Sequence, residues 1–142
     1  MCLSDLYSSM ILEQKYFNDS ARMCDEMHDR IVTINNYFYI ARNTGNKIIG
    51  LLKADLRENS MITVYVIVVE REYRRHGIGK SLFNRLFNDI KHLIPVTVEL
   101  YVNPVNSAIE FYKRIGFIKE GVIHHFYKSG ESAFKMQLRL TK

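Results

Sequence analysis

Apolar positions change their period several times along the 142-residue chain, and each change marks an element. Over residues 4–30, Leu6, Met10 and Phe17, then Met23, Met27 and Ile31, fall at helical intervals, with Asn18, Asp19 and Ser20 between the two sets. This predicts two short helices. Residues 37–42 and 47–56 are strand-like and are joined by Asn43-Thr44-Gly45-Asn46, a turn-forming run that predicts a hairpin. Residues 61–69 are dense in β-branched and aromatic types with almost no polar face, as in a central strand covered on both sides.

The period then returns to 3.6. Ile78, Leu82, Phe83, Leu86, Phe87, Ile90 and Leu93 lie on one face of an amphipathic helix that opens at a glycine-rich turn. Residues 96–102 are again strand-like, and a strand, helix, strand order of this length implies a right-handed crossover between parallel strands. Ser107-Ala108-Ile109-Glu110 has the form of a capping box, opening a helix that runs to Ile115 and is stopped by Gly116. Residues 117–126 and 133–140 complete the pattern as two strands around Lys128-Ser129-Gly130-Glu131. The expectation is an α/β fold with a mixed sheet. No repeat, low-complexity tract or linker interrupts it, so residues 1–142 are expected to form one domain.

Composition narrows the partners. Lys and Arg number 20 against 15 Asp and Glu, a net charge of +5 that suits a polyanion. Basic residues alternate with acidic ones except over 71–80, which argues against a nucleic-acid partner. No apolar run approaches the roughly 18–20 residues that cross a bilayer, and the start lacks the pattern of a signal peptide. No membrane partner is expected, and the expected compartment is the cytoplasm. Cys2 and Cys24 have neither C-x-x-C spacing nor a histidine cluster beside them, so no metal site is expected.

The chemistry concentrates in Val66-Ile67-Val68-Val69-Glu70-Arg71-Glu72-Tyr73-Arg74-Arg75-His76-Gly77-Ile78-Gly79-Lys80-Ser81: buried strand, basic turn, Gly-x-Gly, helix. Glycines at a helix start admit a ligand close to the backbone, and the free amides of the first turn favour an anion. Arg74, Arg75, His76 and Lys80 add positive charge, so the segment points to phosphate. Gly79-Lys80-Ser81 looks like the end of a nucleotide P-loop, but the first glycine of that pattern would fall on Arg74. The third glycine of a dinucleotide loop would fall on Leu82.

Arg74-x-x-Gly77-x-Gly79 closely resembles the acyl-CoA loop of the GNAT superfamily of N-acetyltransferases, whose pattern is Gln/Arg-x-x-Gly-x-Gly/Ala directly after a central strand. Asn106-Ser107-Ala108-Ile109-Glu110-Phe111-Tyr112 with Gly116-Phe117 is similar to that family's second element, at the right distance and after the right strand. The resemblance covers residues 37–140; the first 36 share only a helical pattern. It implies a mostly antiparallel sheet in which the strands ending at Val69 and Val102 splay apart around the pantetheine arm of acetyl-CoA. Ile67, Val68 and Val69 would run beside that arm, with an amide near Val69 polarising the thioester carbonyl. The pyrophosphate would rest on Arg75, His76, Gly77, Ile78, Gly79 and Lys80, with Arg74, Ser81 and Asn106 alongside. A Cβ at Gly77 or Gly79 is expected to fill the space of the phosphate.

The implied reaction is direct attack of a primary amine on the thioester. By the resemblance Tyr112 is the proton donor to the leaving thiolate, an ordinary phenol near 10 facing a thiol near about 8.5; the alternative is that it only packs with Phe111. For the proton acceptor, the period of two puts Glu99 and Tyr101 on one face of the 96–102 strand. Tyr101 falls where several N-terminal amine acetyltransferases carry a glutamate, and Thr63 falls where other relatives do. Glu99 comes first, a water chain next, and a carboxylate merely paired with a lysine or arginine across the sheet stands beside both.

Other residues weigh less. His124 and His125 are expected on opposite faces of a strand, unable to act together. Tyr37, Tyr39, Phe126 and Tyr127 line an acceptor pocket or are plain sheet aromatics, and Met10, Phe17, Met23 and Met27 form a substrate lip or simply core. The leading function is thus an acetyltransferase acting on a small-molecule, peptide or protein amine, as a monomer or homodimer. The alternative is a catalytically silent acyl-CoA sensor or scaffold.

Overall fold

A computed structural model of the chain describes residues 11, 12, 15, 36–57 and 60–142. Ile11, Leu12 and Lys15 are helical; the rest of the two expected N-terminal helices lies outside the described residues, as do Cys2, Cys24, Met10, Phe17, Met23 and Met27. Numbered over the described residues, the elements are β1 (Asn36–Arg42), β2 (Ile48–Arg57), β3 (Met61–Val69), α1 (Ile78–Ile90), β4 (Val96–Val102), α2 (Ala108–Ile115), β5 (Ile118–Ile123) and β6 (Ala133–Leu140). The six strands form one sheet in the order β1-β2-β3-β4-β6-β5.

Only β3 and β4 are parallel, as their link through α1 requires; every other neighbouring pair is antiparallel. Their pairing is short, running from Met61 opposite Thr97 to Val64 opposite Leu100. Along β2, Ala54 pairs with Val64 and Lys53 with Val66, which leaves Tyr65 as the extra residue of a β-bulge. A bulge bends its strand and raises the local twist. Here it coincides with the point where β3 and β4 part, so residues 65–69 of β3 and Tyr101 and Val102 of β4 have no partner across the gap.

The face under α1 and α2 carries the main core, centred on the fully buried Phe83. Its ring meets Phe87, Phe111, Tyr112 and Phe117 at centroid separations of 5.8, 6.0, 6.2 and 5.6 Å. On the opposite face, Leu12 packs with Ile48, Leu51 and Val68. The strand 61–69 is therefore covered on both sides over Ile62, Thr63, Val64 and Val68, while Met61 at its start and Tyr65, Val66, Ile67 and Val69 beside the opening are half-buried.

Two local expectations are corrected. Ser107 makes no side-chain cap; Asn106 accepts the Ala108 amide through Oδ1 at 2.8 Å, while Glu110 pairs with Lys113. A shorter asparagine reach two residues ahead takes the place of the capping box. The strand expected over 117–126 ends at Ile123, so His124 and His125 stand on a turn instead of on opposite faces of a strand. His125 has φ +54°, and the amides of Phe126 and Tyr127 both donate to the Glu131 carbonyl, closing the turn. Gly116 does stop α2, at φ +125°, with its own amide and that of Phe117 donating to the Tyr112 carbonyl.

Candidate active site

The divergence of β3 and β4 opens a cleft of about 1110 Å³, with Ile67 and Val69 on one wall, Tyr101 and Val102 on the other, and Phe111 and Tyr112 of α2 behind. The backbone of the first wall is directed by the ladder with β2. The Glu70 amide donates to the Ile49 carbonyl at 2.7 Å, so by strand alternation the amides and carbonyls of Val69 and Ile67 turn the other way, toward the gap. Arg74 Nε donates to the Val69 carbonyl at 2.9 Å and ties the following loop back to the strand end. Glu70 is buried against Lys15 at 2.6 Å.

The loop then rises through left-handed backbone at Arg75 (φ +64°) and Gly77 (φ +80°) into α1. His76 Nδ1 lies 2.8 Å from the Arg74 carbonyl. The first intrahelical bond is donated by Ser81 to the Gly77 carbonyl, so the amides of Ile78, Gly79 and Lys80 come before any acceptor within the helix. Such a terminus, with Arg74 and Arg75 at the same mouth of the cleft, favours an anion.

Each of the two glycines also has a reason within the chain itself. A Cβ at Gly77 would meet nothing within 4 Å; its need for glycine is the left-handed φ. A Cβ at Gly79 would lie 2.9 Å from Phe111 Cζ, so that glycine lets α1 approach α2.

The structure brings Val68, Val69, Arg74, Arg75, Gly77, Ile78, Gly79, Asn106 and Tyr112 to the cleft together with Ile67. His76 and Ser81 open instead on a smaller cavity of about 410 Å³ between β1 and α1. Tyr112 is 7% exposed, packed edge-on against Phe83 and Phe117 and 5.5 Å from the Phe111 ring, so the packing weighed for it is present; it also borders the cleft. Burial, and then the neighbouring Tyr127, push its phenol well above the ordinary value, which keeps it protonated.

Glu99 is buried and lies under the cleft wall. Its Oε1 accepts from Thr63 Oγ1 at 2.9 Å and from the Tyr101 hydroxyl at 3.2 Å, and its Oε2 stands 3.5 Å from Lys135 Nζ. The cross-sheet lysine weighed against a catalytic Glu99 is thus present. Sequence reasoning did not find Lys135, because β6 pairs with β4 in a register that no local pattern announces. Nor did it find the bond from Asn103 Nδ2 to Glu131 Oε2, 2.8 Å long, which joins the β4–α2 and β5–β6 loops at the cleft mouth. Among the described residues no helix is long and apolar enough to cross a membrane.

Known proteins share this fold. The chain is 29% identical over 113 residues to the catalytic subunit of an N-terminal acetyltransferase B complex from Arabidopsis thaliana, covering 75% of this chain and 64% of that one. It is 39% identical over 75 residues to an N-alpha-acetyltransferase from Sulfurisphaera tokodaii, covering 51% and 45%. The chain therefore spans less than two thirds of the length of these relatives. An Arabidopsis thaliana protein solved with a CoA-Ac-MVNAL bisubstrate analogue superposes with a TM-score of 0.81 at 20% identity, covering 99% of this chain and 95% of that one. A streptothricin acetyltransferase from Bacillus anthracis, described as putative and solved with acetyl coenzyme A, has a TM-score of 0.67 at 28% identity, with coverages of 80% and 67%. The family model described as an acetyltransferase (GNAT) domain matches residues 7–140, and the chain belongs to that family.

Proposed function

We propose that this chain binds acetyl-CoA in the cleft and transfers the acetyl group to the α-amine of a peptide N-terminus. The observation that carries the reading is a parallel strand pair that splays directly beside a glycine-opened helix terminus, giving an extended slot for the pantetheine arm with an anion site at its end. The peptide acceptor is supported by relatives named for N-terminal and N-alpha acetylation.

In this reading the amides of residues 75–80 and the cations of Arg74 and Arg75 hold the pyrophosphate. The Val69 amide donates to the thioester oxygen as negative charge develops there. The amine attacks, the tetrahedral intermediate collapses, and CoA leaves as a thiolate. Tyr112 donates a hydrogen bond to that sulfur. A thiol near about 8.5 is a stronger acid than a phenol held above its ordinary value, so Tyr112 stabilises the thiolate by donation and solvent supplies the final proton. Glu99 is the acceptor for the proton of the amine.

Thermal melting with and without acetyl-CoA, followed by thiol release over a panel of amines, tests this. The panel comprises the pentapeptide Met-Val-Asn-Ala-Leu, its N-acetylated form, spermidine and kanamycin. Acetyl-CoA should raise the melting temperature, and the free peptide alone among the two peptide forms should release thiol. Release confined to spermidine or kanamycin would leave acetyl transfer standing and remove the peptide acceptor. A melting temperature indifferent to acetyl-CoA removes the whole reading.

A further inference from the structure

Glu99 is placed to receive a proton but not to touch an amine. Its side chain is only 4% exposed, and the residue of its face that lines the cleft is Tyr101, one pleat further along β4. We infer that the amine gives its proton to the Tyr101 hydroxyl while Tyr101 passes its own to Glu99, with Thr63 and Lys135 as positioning residues for that carboxylate. The inference rests on the acetyl-transfer reading above.

The hydrogen bonds set the direction of the relay. Glu99 Oε1 receives two neutral hydroxyl donors, Thr63 at 2.9 Å and Tyr101 at 3.2 Å, an arrangement suited to a carboxylate. Lys135 Nζ sits 3.5 Å from the other oxygen, and its own side chain is 29% exposed, so the far side of the pair reaches solvent. The β6 register places Lys135 opposite Tyr101 and Gln137 opposite Glu99, which keeps the ammonium on the relay's side of the sheet. Tyr101 is held flat against Phe126, 4.8 Å away and inclined by 23°, so its ring cannot swing out of the wall. From β2, Asp55 stands in register with Thr63, and Arg57 acts on Tyr101 with the opposite sign to Glu99.

Burial, then the charge of Glu99 and their hydrogen bond, push the Tyr101 phenol up to about 12. It therefore stays protonated and donates to Glu99, while a lone pair on the same oxygen remains for an incoming N–H. When the amine attacks, an N–H bond breaks as its proton bonds to the Tyr101 oxygen, and the Tyr101 O–H bond breaks as that proton bonds to Glu99 Oε1. The nitrogen lone pair forms the bond to the thioester carbon as the carbonyl pair moves onto oxygen. The pair left by the departing proton stays on nitrogen as its new lone pair, and collapse of the oxyanion breaks the C–S bond to release the CoA thiolate. Tyrosine is neutral before and after, and Glu99 becomes a carboxylic acid that returns its proton to water on the Lys135 side.

Thiol release with acetyl-CoA is measured for the fastest primary amine of the panel and for hydroxylamine, a nucleophile already neutral at pH 7 that needs little help from a base. Tyr101→Phe and Glu99→Gln should each lower kcat for the primary amine by about 100-fold, and the double variant should be no worse than either single one. With hydroxylamine the loss should be less than tenfold. The melting shift given by acetyl-CoA should survive in all three, which separates lost chemistry from lost folding. Lys135→Met should lower kcat for the primary amine while leaving KM for acetyl-CoA unchanged, because the carboxylate loses the cation 3.5 Å from its Oε2, and Lys135→Arg should restore it.

Equal losses with both nucleophiles, additive losses in the double variant, or an active Tyr101→Phe beside an inactive Glu99→Gln would overturn the relay and leave acetyl transfer intact. No thiol release by the unaltered protein with any nucleophile would overturn both.

Discussion

The two sides of the cleft are made of different material. The wall expected to hold the cofactor comes from one stretch of chain, 67–79, and presents mainly backbone: amides freed by a helix start, a strand whose partner has splayed away, and glycine where the chain must turn. On the opposite side Tyr101 lines the cleft, and behind it stand side chains of β2, β3, β4 and β6, namely Asp55, Thr63, Glu99 and Lys135, brought together only by strand register. Backbone recognition suits a ligand that is the same in every turnover. Side-chain recognition lets the acceptor and its proton chemistry vary while the frame stays fixed.

The sharpest way to break this division is to remove what both sides lean on. Phe83 is fully buried and its ring joins α1 to α2 through Phe111, Tyr112 and Phe117. Phe83→Ala should cost about 3–5 kcal/mol in urea unfolding and abolish acetyl-CoA binding and turnover together. Gly79→Ala should divide the sides instead. Its Cβ would press on Phe111 Cζ at 2.9 Å, so the ring must shift from its place between α1 and α2. The expected cost is about 1–3 kcal/mol, with the acetyl-CoA melting shift largely lost while the Glu99 network is untouched.

What could be read from the sequence follows the same line. The strand, loop and helix start of this wall were legible because such a unit puts particular residues at fixed short spacing: Arg74, Gly77 and Gly79 after an apolar strand. Even so, the spacing hid why Gly79 is a glycine, since Phe111 lies more than thirty positions later and meets it only through the packing of α1 on α2. On the other side, alternation placed Glu99 and Tyr101 on one face, yet Lys135 and Thr63 became their partners through pairings that sequence distance does not limit. Asn106 shows a smaller failure of the same kind. The capping box at Ser107 was a sound local pattern, and a neighbouring side chain with an equally good acceptor won.

A milder probe of the acceptor side is the bond between Asn103 and Glu131. Both loops border the cleft mouth, and Glu131 also fixes the turn after β5 through its carbonyl, which a side-chain change leaves in place. Asn103→Ala also removes the Oδ1 that accepts the Val105 amide at 3.0 Å, so it should cost about 1 kcal/mol. It should raise KM for the peptide several-fold while leaving KM for acetyl-CoA unchanged, a split that steady-state kinetics reads directly.

The smallest effect lies at the outer edge of the cofactor side, where Tyr39 of β1 donates to Asp89 Oδ2 of α1 at 2.7 Å and Arg85 stands 3.4 Å from the same oxygen. The Tyr39 hydrogen bond, and then Arg85, hold the Asp89 carboxyl below its ordinary 3.8. A depressed acid contributes stability that is present above its unfolded value and lost as pH falls through the folded one. Burial and Asp89 raise the Tyr39 phenol, so the opposite limb is present below the ordinary 10.0 and lost as pH rises beyond it. Tyr39→Phe should therefore lower the melting temperature slightly across the neutral range, with the difference from the unaltered protein shrinking below pH 3.8 and again above pH 10.0. Because α1 carries the glycine loop at its other end, twelve residues before Asp89 counting from Gly77, this variant also asks whether the anion site depends on how the far end of its helix is fastened. A KM for acetyl-CoA that stays constant while the melting temperature falls would show that the backbone of the first turn is sufficient.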